Sequence, residues 1–182
     1  MPAVAADQFV SLPADSNQAL GIARYAIEFL KAAQTGGDAA APAESVLART
    51  ELFHTDSVFC GISALALRTN APRVLREEAL SYPTAPGEKG ACVFGAAARV
   101  KSEKAIAANS AAVREWDSNG TNFGYNPARG HTAGEFGHND FYPVVVAACQ
   151  ELGLDGRIAL HGMLCLDEIR GRLAEVFSLK TY

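Results

Sequence analysis

Apolar residues recur at helical spacing along most of the chain, and glycine, proline and polar breaks cut that pattern into segments. Ser16 can cap a first helix carrying Leu20, Ala23, Ile27 and Leu30, which ends at Gly36 and Gly37. A small-residue linker from Gly36 to Ala41 follows. Pro42, in a first helical turn, opens a second helix bearing Val46, Leu47, Phe53, Val58, Ile62 and Leu65. Asn70 and Pro72 start a short third helix with Val74, Leu75 and Leu80, closed before Pro83. Tyr82 to Gly90 reads as loop, and Ala91 to Phe94 as a short extended piece between glycines. Ser102 caps a helix with Ile106, Ala112, Val113 and Trp116. Asn139 or Asp140 caps the next, with Pro143 in its first turn, Val144, Val145, Ala148 and Leu152 as its buried stripe, and Gly153 as its stop. Asp155 caps a last long helix through Ile158, Met163, Ile169, Leu173 and Val176. With no internal repeat and no long alternating run, the fold class is all-α, a bundle of roughly six or seven helices.

Composition agrees with that picture and narrows it. The 182 residues make one domain, or part of one, and 49% hydrophobic with 20% charged residues describes a globular chain with a real core. A net charge of −4 without basic runs excludes nucleic acid as a main partner. No apolar stretch reaches the length of a bilayer span. Met1 to Gln8 lacks both a basic region and an apolar run, which excludes a secretory signal; it is not arginine-rich either. We expect a cytoplasmic protein, or a mitochondrial matrix one if a transit peptide has been removed. Cys60, Cys92, Cys149 and Cys165 are widely spaced in apolar surroundings, so they read as buried free thiols rather than zinc or iron–sulfur ligands. Several helices are apolar on more than one face, which predicts partner surfaces that the chain does not itself supply.

The candidate chemistry is concentrated between Arg114 and Asp140. This segment holds two of the chain's four histidines, two arginines and five glycines, and cannot be a regular helix. Asp117 and Thr121 are four apart and share a face if the preceding helix continues one turn past Trp116. A carboxylate beside a hydroxyl, with a histidine brought in by the loop, makes a proton-transfer set. His138 and Asn139 lie just before a helix start, where free N–H groups attract anions. Arg114 and Arg129 can clamp carboxylates in bidentate fashion.

Plainer readings compete with each of these. Asp117 can simply end its helix, and Thr121 can be a turn residue. His131, Glu135 and His138 invite a metal, but no His-Glu-x-x-His pattern is present. His54 and His161 sit within apolar helices and read as satisfied core or surface histidines. Asp167 and Glu168, followed by Arg170 and Arg172, read as an exposed helical charge pattern.

The run from Arg114 through Trp116, Asp117, Ser118, Asn119 and Gly120 to Thr121, followed by Gly137-His-Asn-Asp140, resembles the signature of the MmgE/PrpD family. That family includes 2-methylcitrate dehydratases, cis-aconitate decarboxylase and iminodisuccinate epimerase. The loop Gly130-His-Thr-Ala-Gly-Glu-Phe-Gly-His-Asn-Asp140 is most similar to fungal-type 2-methylcitrate dehydratases. Weaker likeness extends over His54 to Cys60 and Asp167 to Leu173. The resemblance implies that Asp117, Thr121 and His138 are catalytic. Arg114, Arg129 and Asn139 are the substrate-binding candidates from the residues themselves, and His131, which has no counterpart in shorter-looped members, is added to them. It implies a small tricarboxylate substrate, no cofactor, no metal and no membrane or nucleic-acid partner. Other members place an Asp immediately before the Thr, where this chain has Gly120.

Members of that family are much longer, with a helical domain and a smaller α+β domain assembled as a homodimer. Residues 1–182 therefore resemble the N-terminal part of the helical domain, with the remainder and the α+β domain expected beyond them. The implied activity is dehydration of 2-methylcitrate to 2-methyl-cis-aconitate, a step of propionate breakdown. An epimerase or decarboxylase on a related polycarboxylate, and a non-catalytic helical module, are the alternatives.

Overall fold

A computed structural model of the chain describes residues 15–35, 41–118, 120, 121, 128 and 137–176. Six α-helices lie among the described residues: α1 (Gln18–Thr35), α2 (Glu44–Ala66), α3 (Asn70–Leu80), α4 (Ser102–Arg114), α5 (Tyr142–Leu152) and α6 (Gly156–Val176). Between α3 and α4 a short ladder pairs β1 (Ala91–Cys92) with β2 (Arg99–Val100), antiparallel, in the register Ala91 to Val100 and Cys92 to Arg99. A 3-10 turn, Asn139–Phe141, leads into α5.

Helix α4 is the centre of the packing and touches α2, α3 and α5. Its buried face is Ala105, Ala108, Asn109, Ala112 and Val113, so its neighbours approach a surface of mostly small side chains. Ala79, Ala91, Val93, Val100 and Ala147 close around that face to form the core. Asn109 is the polar exception. Its Oδ1 accepts the Phe94 N–H at 3.0 Å and its Nδ2 donates to the Cys92 carbonyl at 3.0 Å, which pins the β1 segment to α4. Helix α2 follows the same rule: Leu47, Thr50, Ser57, Gly61 and Ala64 are buried, and a Cβ on Gly61 would lie 2.6 Å from the Phe94 ring. Other bulky residues of α2 face outward; Leu52, Phe59 and Ile62 are exposed. Helix α1 rests on α6, and its N-terminal half leaves Leu20, Ile22, Tyr25 and Ile27 in solvent.

Helix ends differ from the sequence expectation in detail. Asn17, not Ser16, provides the α1 cap, accepting the Leu20 N–H on Oδ1 at 3.3 Å. Ala43 rather than Pro42 precedes α2. Lys101 occupies the cap position of α4, while Ser102 begins the helix with its hydroxyl buried and unpartnered among the described residues. Asn139 and Asp140 belong to the 3-10 turn, so neither caps α5, whose first turn carries Pro143. The buried face of α5 is Tyr142, Pro143, Ala147 and Cys149 rather than the expected stripe, of which Val144, Ala148 and Leu152 are exposed. Gly153 does end α5 in the left-handed region at φ 67°, and Asp155 does cap α6, accepting the Ile158 N–H at 2.9 Å. Among the described residues, no helix is long and apolar enough to cross a membrane.

Candidate active site

The turn that carries His138 is anchored from three helices. It begins at Gly137, whose φ of 80° suits glycine and whose missing Cβ leaves room for Asp140 Oδ2, 2.5 Å from where that Cβ would stand. From α2, the Ser57 hydroxyl donates to the Asn139 carbonyl at 3.1 Å, and the Asn139 amide donates to the Phe53 carbonyl at 2.7 Å. From α4, Arg114 Nε stands 3.3 Å from Asp140 Oδ2. From α6, Arg170 Nη1 donates to the carbonyls of Gly137 (3.1 Å) and His138 (2.9 Å), with its guanidinium 3.9 Å above the Phe141 ring. Buried main-chain carbonyls need such donors, and here side chains supply them.

The His138 ring is almost fully enclosed, at 2% exposure. Phe53 meets it edge-on with centroids 4.4 Å apart, and Tyr142 does so at 5.6 Å. His138 Nε2 is 3.0 Å from Asp167 Oδ2. The Tyr142 hydroxyl lies 2.6 Å from that same oxygen and 3.2 Å from Nε2, so the three groups form a closed triangle. Burial, and then the adjacent Asp167 carboxylate, push the Tyr142 phenol far above its usual range, which keeps it a protonated donor.

The other face of the ring meets Gly120. A Cβ at position 120 would lie 2.7 Å from His138 Nδ1 and 2.9 Å from Asn139 Oδ1, and the backbone there has φ 79°. A carboxylate at this position is therefore incompatible with His138 as placed, which gives a steric reason for the glycine. The Gly120 N–H is held by Asp56 Oδ2 of α2 at 3.3 Å.

Asp117 and Thr121 flank this glycine on the solvent side, both exposed. They do not share a helical face, because α4 stops at Arg114 and Asp117 adopts a left-handed φ of 48°. The Asp117 N–H closes the helix on the Arg114 carbonyl at 3.0 Å, and its carboxylate is ion-paired with Arg114. Trp116 accordingly projects beyond the helix and is exposed. Arg114 thus faces two carboxylates of its own chain, and Asn139 is completely buried with its amide on Phe53. Arg129, His131 and Glu135 lie outside the described residues.

Three residues of this centre escape the sequence pattern. Asp167 and Arg170 are not part of an exposed charge face; they turn inward onto the His138 turn, and only Glu168 and Arg172 make the exposed pair, at 2.8 Å. Tyr142 reads in sequence as one more apolar position of α5. No local signal marks Asp167 and Arg170, because the histidine that gives them meaning lies 29 and 32 residues away along the chain.

Elsewhere, a groove of about 390 Å³ runs between α2, α5 and α6, lined by Glu51, His54, Gln150, Asp155 and Met163 among others. Burial, Asp155 for Cys149 and Glu168 for Cys165 raise the thiol pKa values of those two buried cysteines, so they are poor nucleophiles.

The sequence profile of the MmgE/PrpD N-terminal domain matches residues 33–182. The chain belongs to the MmgE/PrpD family. The matched span includes α2 to α6 and therefore every residue of the His138 centre. The six described helices fit the helical N-terminal domain of this family, which includes dehydratases. Comparison with curated proteins and with solved structures returned no match.

Proposed function

We propose that this MmgE/PrpD chain carries the His138 centre of a hydro-lyase that dehydrates 2-methylcitrate to 2-methyl-cis-aconitate in propionate catabolism. The observation that carries the reading is the buried His138, fixed from behind by Asp167 and Tyr142 and facing the Asp117–Thr121 turn. The resemblance of the 130–140 loop to fungal-type 2-methylcitrate dehydratases supports this substrate over other polycarboxylates.

Dehydration of a β-hydroxy acid needs a base for the carbon-bound proton and an acid for the departing hydroxyl, which leaves as water. Charge developing beside a substrate carboxylate must also be stabilised. His138 serves as acid or base, Asp117 as base or orienting group, and Thr121 as a hydrogen-bond donor to substrate. Arg129 and His131 bind carboxylates, with Arg114 and Asn139 holding the turn that presents His138. The enzyme works as a homodimer, for which the exposed Leu52, Phe59 and Ile62 of α2 supply apolar surface.

The test is ultraviolet absorbance of the unsaturated product with 2-methylcitrate and with citrate, followed by product analysis. Turnover of 2-methylcitrate in preference to citrate is the expected result. Conversion without an alkene product, by epimerisation or loss of carbon dioxide, would overturn it.

A further inference from the structure

We infer that Asp167 is a positioning residue that fixes the tautomer of His138, so that Nδ1, the nitrogen turned toward Gly120, is the one that exchanges protons with substrate. The inference rests on the acid/base role proposed for His138 and adds which nitrogen works and what selects it.

The argument is one of proton counting in a closed triangle. Asp167 Oδ2 has two neighbours, the Tyr142 hydroxyl at 2.6 Å and His138 Nε2 at 3.0 Å. The tyrosine has one proton to give, and the shorter, charge-assisted contact takes it. Nε2 then stands at hydrogen-bond distance from a carboxylate that has no proton to offer. That contact is attractive only if Nε2 bears the hydrogen, because an Nε2 lone pair would face the lone pairs of Oδ2. In neutral imidazole, a hydrogen on Nε2 leaves Nδ1 as the acceptor. Asp167 Oδ1 is buried with no hydrogen-bond partner among the described residues, so its oxygen Oδ2 carries the accepting role seen here.

Nδ1 is the nitrogen on the side of the Asp117–Thr121 turn: it is buried against residue 120, where a Cβ would approach it to 2.7 Å, so the glycine leaves the ring the room it has there. The opposite edge is closed by Tyr142 and Asp167. When His138 acts as base, the substrate proton moves to Nδ1 and the C–H electron pair stays on carbon. The resulting imidazolium keeps its Nε2–H on Asp167, whose negative charge stabilises it. When it acts as acid, the Nδ1 proton goes to the leaving hydroxyl and the starting tautomer returns. Neither step moves the Nε2 proton.

The tautomer can be read without substrate. In the intact protein with ¹⁵N-labelled histidine, two-bond and three-bond ¹H–¹⁵N correlations distinguish the two neutral forms, with the His138 signals assigned by their loss in His138→Gln. The expected result is a protonated Nε2 in the wild type, and loss of that preference in Asp167→Asn, whose amide can serve either form. Turnover of Asp167→Asn should fall by about 10²-fold with KM little changed. Tyr142→Phe, which leaves Asp167 in place, should retain the Nε2–H form. A wild-type His138 protonated on Nδ1 would overturn the proposal, as would an Asp167→Asn protein with unaltered tautomer and turnover. If Asp167→Asn does not fold, the Tyr142→Phe and wild-type spectra still decide it. Absence of 2-methylcitrate turnover in the wild type would count against the proposed reaction and leave the tautomer result standing.

Discussion

Gly120 and His138 are coupled by space rather than by bonding: the side chain of one is possible because the other has none. Gly120→Ala should therefore act twice. The left-handed φ and the contact with Nδ1 should lower stability by about 1 kcal/mol or more, read from the urea unfolding midpoint. Displacement of the ring should reduce turnover beyond what the stability loss explains. An alanine variant with wild-type midpoint and rate would show that the 120–121 backbone does not press on the histidine. His138→Ala, which relieves the contact, should leave a folded protein by circular dichroism and cut turnover by about two orders of magnitude or more. Near-normal turnover in that variant would remove His138 from the chemistry. At this scale the sequence was informative about the front of the site and silent about its back. His138 and Thr121 stand out because a glycine-rich loop is a poor place for them by chance. Asp167 does not, since a carboxylate beside Glu168 on a charged helix has the same local pattern whether it points out or in.

Helices were the legible part of the chain, because apolar spacing of three and four residues is a property of the segment itself. All six predicted helices are present among the described residues. Their ends were less legible. Serine and asparagine are both good caps, so the pattern does not choose between Ser16 and Asn17, and Ser102 attracts a cap assignment although Lys101 holds that position. The C-terminal end of α4 is decided by Asp117 taking up a left-handed conformation with Arg114 over it, a choice that helical spacing through Trp116 conceals. Where the local rule and the structure agree, the energy is testable. Asp155→Ala removes the cap on α6 and should cost about 1 kcal/mol, measured as a shift in the unfolding midpoint, while Asp155→Ser should recover most of it. Equal stability of all three proteins would mean that the α6 N-terminus is held by packing alone.

Across the whole molecule, acid sensitivity should come partly from His54. Burial lowers its pKa from the ordinary 6.5, opposed by the nearby Glu51, and its Nδ1 is buried without a partner among the described residues. The folded state thus favours the neutral ring. Above the unfolded pKa neither state is protonated there and His54 costs nothing. As pH falls through about 6.5 the unfolded chain takes up a proton that the folded one refuses, and stability drops until the folded pKa is reached. Urea midpoints between about pH 7 and pH 5 should decline in the wild type and decline less in His54→Gln. Parallel slopes would assign the acid limb to other groups.

The anchoring of the 137–141 turn has a consequence in time as well as in space. Asn139 is tied to Phe53 and Ser57 across sequence separations of 86 and 82 residues, and the His138 carbonyl to Arg170 across 32. Each tie requires a long loop to close before it can form. A chain emerging from the ribosome cannot assemble the histidine's seat until α6 has been made and has docked, however early α2 becomes helical. Refolding followed by ring fluorescence or hydrogen exchange should therefore show the helices protected first and the His138 turn last.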